Sequence, residues 1–74
     1  LPKGQSKLLL TDRQMEILTL LGEGLLKKEI AERLNLSFAT VDEHIGCIYT
    51  RLGVHNAPAA INKAHLLGLF QPAK

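Results

Sequence analysis

One cysteine, no tryptophan and three scattered aromatic residues are all that this 74-residue chain offers of those types. A lone Cys47 excludes an internal disulfide. With a start that lacks the pattern of a secretory leader, it fits a reducing, cytoplasmic setting. No apolar run approaches the roughly 20 residues that cross a bilayer, so no membrane partner is expected. Phe38, Tyr49 and Phe70 are too dispersed for a base-stacking platform and are expected to pack instead. His44, His55 and His65 stand eleven and ten residues apart, which with one cysteine is no zinc spacing. There is no Ser-His-Asp order, no paired catalytic acids and no phosphate-binding loop. Neither an enzyme nor a cofactor is expected. Nine Lys/Arg against seven Asp/Glu leave a net charge of +2, too little to imply a polyanionic partner without a look at where the charges lie.

What is present is helix. No segment alternates with the period of a strand, and one short chain has room for a single core. Residues 1–9 carry Pro2, Gly4, Ser6, Lys3 and Lys7 and read as a linker or flexible arm, with 10–70 as the domain and 71–74 as a tail. The opening Leu1 suggests a piece of a longer protein whose sensing part is elsewhere. Thr11 with Gln14 forms a capping box for a helix over 12–22, ended by Gly22 and Gly24. A second helix over about 27–34 turns Ile30, Ala31 and Leu34 to one face. Its start is weak, because Leu25 and Leu26 stand where a polar cap belongs. Ser37 caps a third helix that runs to Leu52 and stops at Gly53. Asn56 caps a fourth over about 57–67, with Pro58 tolerated in its first turn. The expected fold is all-α, a compact four-helix domain.

Helices two and three, separated by three residues, make a helix-turn-helix over about 27–46, with a recognition helix over about 38–52. Small Ala31 allows close packing of the pair, and Leu36 plugs the turn. A plain helical bundle remains an alternative on spacing alone.

The segments LTDRQMEIL (10–18), EGLLKKEIAERLNLS (23–37), TVDEHIGCIYTRLGV (40–54) and AAINKAHLLGL (59–69) together resemble the LuxR-type (NarL/FixJ, GerE-like) helix-turn-helix domain. The resemblance spans about 60 of the 74 residues in one register. Region 4 of sigma factors resembles only the first three helices and normally lacks the turn Leu52-Gly53-Val54 and the fourth helix. The LuxR-type likeness implies an output domain of a bacterial transcriptional regulator, such as a response regulator. It implies sequence-specific binding to double-stranded DNA as a homodimer, with the third helix in the major groove and the fourth at the dimer contact. Ala57, Ile61, Ala64 and His65 are the candidates for that contact.

At about 100° per residue, Val41, Ile45, Ile48 and Leu52 point into the core. Ala39, Glu43, Gly46 and Thr50 point away, with Asp42 and Cys47 on the shoulders of that face. Phosphate contacts are expected from Lys27 and Lys28 at the start of the second helix, where free N–H groups attract anions. Ser37 and Thr40 add hydroxyls, and Arg51 reaches a flanking phosphate. His44 matches a histidine common in the family. Ala39, Asp42, Glu43, Gly46 and Cys47 complete the candidate DNA set, although Cys47 is expected to be a semi-buried hydrophobe. The family often has lysine at the position of Asp42, a basic or polar residue near Gly46 and an arginine near Ala57, and this chain departs from all three. Two readings of the acids stay open. One carboxylate accepts a hydrogen bond from a cytosine amino group, or both solvate an exposed face and pair with a base such as Lys28. The rival function is a helix-turn-helix relic that serves dimerisation or contact with RNA polymerase.

Overall fold

A computed structural model describes residues 10–70. The arm and tail, with Lys3 and Lys7, lie outside the described residues. The chain folds as α1 (Asp12–Gly22), α2 (Lys27–Leu34), α3 (Phe38–Leu52) and α4 (Ala57–Leu66), and no strand occurs among the described residues. The all-α expectation holds, and the fourth helix stops one residue short of its expected end.

Local chemistry sets most boundaries. Thr11 Oγ1 accepts from the Gln14 N–H at 3.1 Å, and Gln14 Oε1 accepts from the Thr11 N–H at 3.0 Å. This closed box lets Gln14, a polar side chain, lie buried at the start of α1. Ser37 Oγ accepts from the Thr40 N–H at 3.1 Å, and Asn56 Oδ1 from the Ala59 N–H at 2.8 Å. Gly53 ends α3 at φ +71°, in the left-handed region where glycine has no steric penalty. The weak start of α2 finds a substitute for its missing cap. Leu26 has no acceptor, but the Glu29 carboxylate accepts from the Leu26 N–H at 2.7 Å, which is half of a capping box. Asn35 closes α2 at φ +60°, a conformation that asparagine tolerates better than most residues.

The core is drawn from all four helices. Ile17 and Leu18 of α1, Ile30 and Ala31 of α2, Val41, Ile45, Ile48 and Leu52 of α3, and Ala60 and Ala64 of α4 are buried together. Helix α3 packs against each of the other three. Leu36 in the α2–α3 turn and Tyr49 lean half-buried on this cluster. Two expectations, those for Phe38 and Ala64, need correction, and the one for Phe70 holds. Phe38 is 54 % exposed rather than packed away, because it is the first residue of α3, one turn ahead of the buried Val41. Phe70 does pack, over Gly22 and edge-on to the ring of His65 at 4.8 Å. Ala64 is fully buried in the monomer, so it is no part of an outward dimer face. No helix among the described residues is long and apolar enough to cross a membrane.

Ile48 lies at the centre of this arrangement with no exposure. Ile48→Ala is expected to lower the unfolding free energy by about 2–5 kcal/mol, from lost burial plus the cavity left behind. Urea unfolding followed by circular dichroism measures it, and a loss well under about 1 kcal/mol would contradict the central position of this side chain.

Candidate nucleic-acid interface

The rotation of α3 decides which of its side chains are available. With Val41, Ile45, Ile48 and Leu52 locked inward, the stripe Ala39, Glu43, Gly46 and Thr50 faces solvent. Glu43, Gly46, Cys47, Thr50 and Arg51 line a shallow concavity along this face. Gly46 stands in open space, with nothing within 4 Å of where a Cβ would be. Cys47 is exposed rather than semi-buried, because it falls on the shoulder away from the packing seam.

The two acids differ in their surroundings. Asp42 lies on the flank of α3 that faces α2, and its Oδ1 accepts a hydrogen bond from Lys27 Nζ at 2.6 Å. The partner is Lys27, not Lys28, which is exposed. Hydrogen bonding to Asp42 raises the Lys27 pKa above the ordinary value of 10.5, and the nearby charges of Asp42 and Tyr49 add to it. Slight desolvation works the other way. Glu43, next along the chain, has no hydrogen bond or ion pair among the described residues. The helix geometry therefore separates two adjacent carboxylates, one engaged and one available.

The remaining candidates divide in the same way. Ser37 Oγ caps α3 and donates to Thr40 Oγ1 at 2.9 Å, so both hydroxyls are in local use at the α3 N-terminus. His44 is half-buried beside the core. Arg51 is exposed in the last turn of α3, at the end of the concavity. Thr50 belongs to that concavity although it was not among the expected contacts. Its position seven residues after Glu43 on the same stripe is the signal that identifies it. Its hydroxyl donates to the Gly46 carbonyl at 3.1 Å. On α4, Ala57 and Ile61 are half-buried and His65 is exposed, spaced four apart along one side of the helix. Leu66, 75 % exposed, is an apolar side chain that the periodicity did not single out. Among the described residues no group of three or more His, Cys, Asp or Glu side chains could hold a metal.

The pattern described as "bacterial regulatory proteins, luxR family" matches residues 8–64, which include α1 to α3 and most of α4. The chain belongs to this family. Its luxR-type relatives include the transcriptional regulatory protein DesR of Bacillus subtilis, 39 % identical over 62 residues, covering 84 % of this chain and 31 % of that protein. The Fimbriae Z protein of Escherichia coli K12 is 43 % identical over 61 residues, covering 82 % of this chain and 29 % of its own length. The crystal structure of the response regulator ChrA, from a heme-sensing two-component system, superposes with a TM-score of 0.81 at 43 % identity, covering 82 % of this chain and 30 % of that one. The chain thus spans about a third of the length of these relatives.

The Lys27–Asp42 pair bridges α2 and α3 near the surface, with side chains 39 % and 54 % exposed. Such a pair contributes about 1 kcal/mol or less. Because the folded Lys27 pKa is raised, that contribution is fully present below the unfolded lysine value and is lost as pH rises through the folded one. The stability difference between the parent chain and Lys27→Met is therefore expected to stay level from about pH 7 to about pH 9 and to shrink above about pH 10.5. Denaturant titrations across that range measure it, and a difference that grows towards high pH would contradict the assignment.

Proposed function

We propose that this chain is the DNA-binding output domain of a bacterial transcriptional regulator of the response-regulator kind, acting on double-stranded DNA in the cytoplasm. The observation that carries the proposal is the luxR-family match across the whole helix-turn-helix, with the outer stripe of α3 left uncovered by the other helices. In this reading α3 enters the major groove. Lys28, the N-terminus of α2 and Arg51 hold the phosphates, with Ser37 and Thr40 near the backbone at the start of α3. Lys27 contributes less than an unpaired lysine, because Asp42 already neutralises it.

Phosphate contacts act through counterion release, so they show as a slope in binding against salt. Asp42→Lys frees Lys27 and adds a second cation. It is expected to tighten binding to random duplex and to steepen the log–log salt slope by about one to two. Gel-shift titrations over a salt series with generic duplex measure this. An unchanged affinity and slope would mean that α3 does not lie along DNA.

The proposed assembly is a homodimer through α4, along Ala57, Ile61 and His65. Sedimentation on a duplex with half-sites about 10 bp apart is expected to show two copies bound, and Ile61→Glu to leave one. A single copy bound by the parent chain would overturn the dimer.

A second reading is a protein-contact domain, addressed to RNA polymerase or to its own copy. The engaged Lys27 and the exposed apolar side chains of Leu26 and Phe38 favour it. The same salt series discriminates, since a protein-contact domain gives no salt-dependent duplex binding.

A further inference from the structure

We propose that Glu43 is the base-reading residue of this domain and that it selects a cytosine in each half-site, while Asp42 positions Lys27 and reads no base. The inference rests on the DNA-binding reading above.

Three observations converge. The first is direction. At roughly 100° per residue, Glu43 lies about 200° around the α3 axis from the buried Val41, nearly opposite the core, whereas Asp42 lies on the flank beside α2. The second is availability. Asp42 is tied to Lys27 Nζ at 2.6 Å, whereas no hydrogen bond or ion pair among the described residues engages the Glu43 carboxylate. The third is relief. The neighbours of Glu43 on the outward face are Ala39, Gly46, Cys47 and Thr50, all exposed and all small. Gly46 adds open space one turn further along. A helix trimmed in this way can sit deep against base edges, and Glu43 is the one long polar side chain at the centre of its face.

The chemistry of a carboxylate then restricts the base. It is an acceptor only, so in the major groove it needs an amino donor. Guanine presents N7 and O6 acceptors, and thymine presents O4 beside a methyl group. Adenine has the N6 amino group, but its N7 lone pair is adjacent and repels the second carboxylate oxygen. Cytosine presents the N4 amino group with no acceptor of its own beside it in the groove. The charge of Glu43 lowers affinity for every sequence, and the cytosine contact recovers part of that loss at one position only. Glu43 therefore acts on specificity, and the Asp42–Lys27 pair acts on general affinity.

The test uses the 74-residue chain and a library of duplexes with a randomised central segment, selected and sequenced for the parent, Glu43→Gln and Asp42→Asn. Both side chains are exposed, so neither substitution threatens the fold. The parent is expected to enrich cytosine at one position per half-site, with replacement of that base weakening binding by about fivefold or more. Glu43→Gln is expected to move the preference at the same position to adenine, because glutamine pairs with N6 and N7 together. Asp42→Asn is expected to tighten binding to all duplexes alike while cytosine remains preferred. A parent that enriches sites without cytosine, or a Glu43→Gln profile identical to the parent's, would overturn the inference and leave DNA binding standing. A parent that binds no duplex in the library would overturn the DNA reading and this inference with it.

Discussion

The burial of Val41, Ile45, Ile48 and Leu52 is the constraint on which the rest of this domain depends. Each of these side chains stabilises the fold by about 1.5–3 kcal/mol when removed from water. Helices α1, α2 and α4 press on α3 from different sides, so α3 cannot rotate without exposing one of the four. A fixed rotation means a fixed outer stripe, and every functional assignment follows from it. Asp42 and Glu43 are neighbours in the chain, yet about 100° of helical turn sends one towards α2 and the other to solvent. The same arithmetic leaves Gly46 and Thr50 outside and makes His44 a flank residue.

Much of this was legible from the residues because the forces involved are local. Thr11 with Gln14, Ser37 and Asn56 each satisfy N–H groups three residues ahead, and Gly53 occupies a backbone region that other residues avoid. Such features are written within one turn of chain. The start of α2 was harder, since its N–H partner is the Glu29 side chain and not a cap residue. Contacts between distant segments were least accessible. Lys27 and Asp42 are fifteen residues apart, and whether Lys27 or Lys28 meets the acid depends on how α2 is rolled against α3. The sequence pattern placed both lysines at the right helix end but held no information on that roll.

Small residues produced the other errors, for a related reason. On α4, Ala57, Ala60 and Ala64 carry little hydrophobic signal, and an alanine is equally at home under a neighbouring helix or on the surface. Only packing decides, and it turned Ala60 and Ala64 inward. Cys47 is ambiguous in the same way, being small and commonly buried in other folds, yet here it lies on the open shoulder of α3. Phe38 failed in the opposite direction. Its size argued for burial, but its place one residue after the Ser37 cap leaves its ring beyond the reach of the core.

The Lys27–Asp42 pair bears on how such a domain would discriminate among DNA sequences. Binding to any duplex is mostly counterion release, and each cation withdrawn from phosphate lowers it in the same proportion for every sequence. Discrimination is a difference between affinities, so a term common to all sequences cancels from it. A chromosome nevertheless offers on the order of a million or more competing sites, and general affinity sets how long the protein stays on them. Neutralising Lys27 within the molecule lowers that residence and leaves a base contact on the outward face of α3, about 100° around the helix, untouched. On the proposed reading, the replacement of basic character by acids on this helix is a shift of emphasis. The domain relies less on charge to hold DNA and more on the fit of one stripe of side chains, with tight binding left to the pairing of two copies on one site.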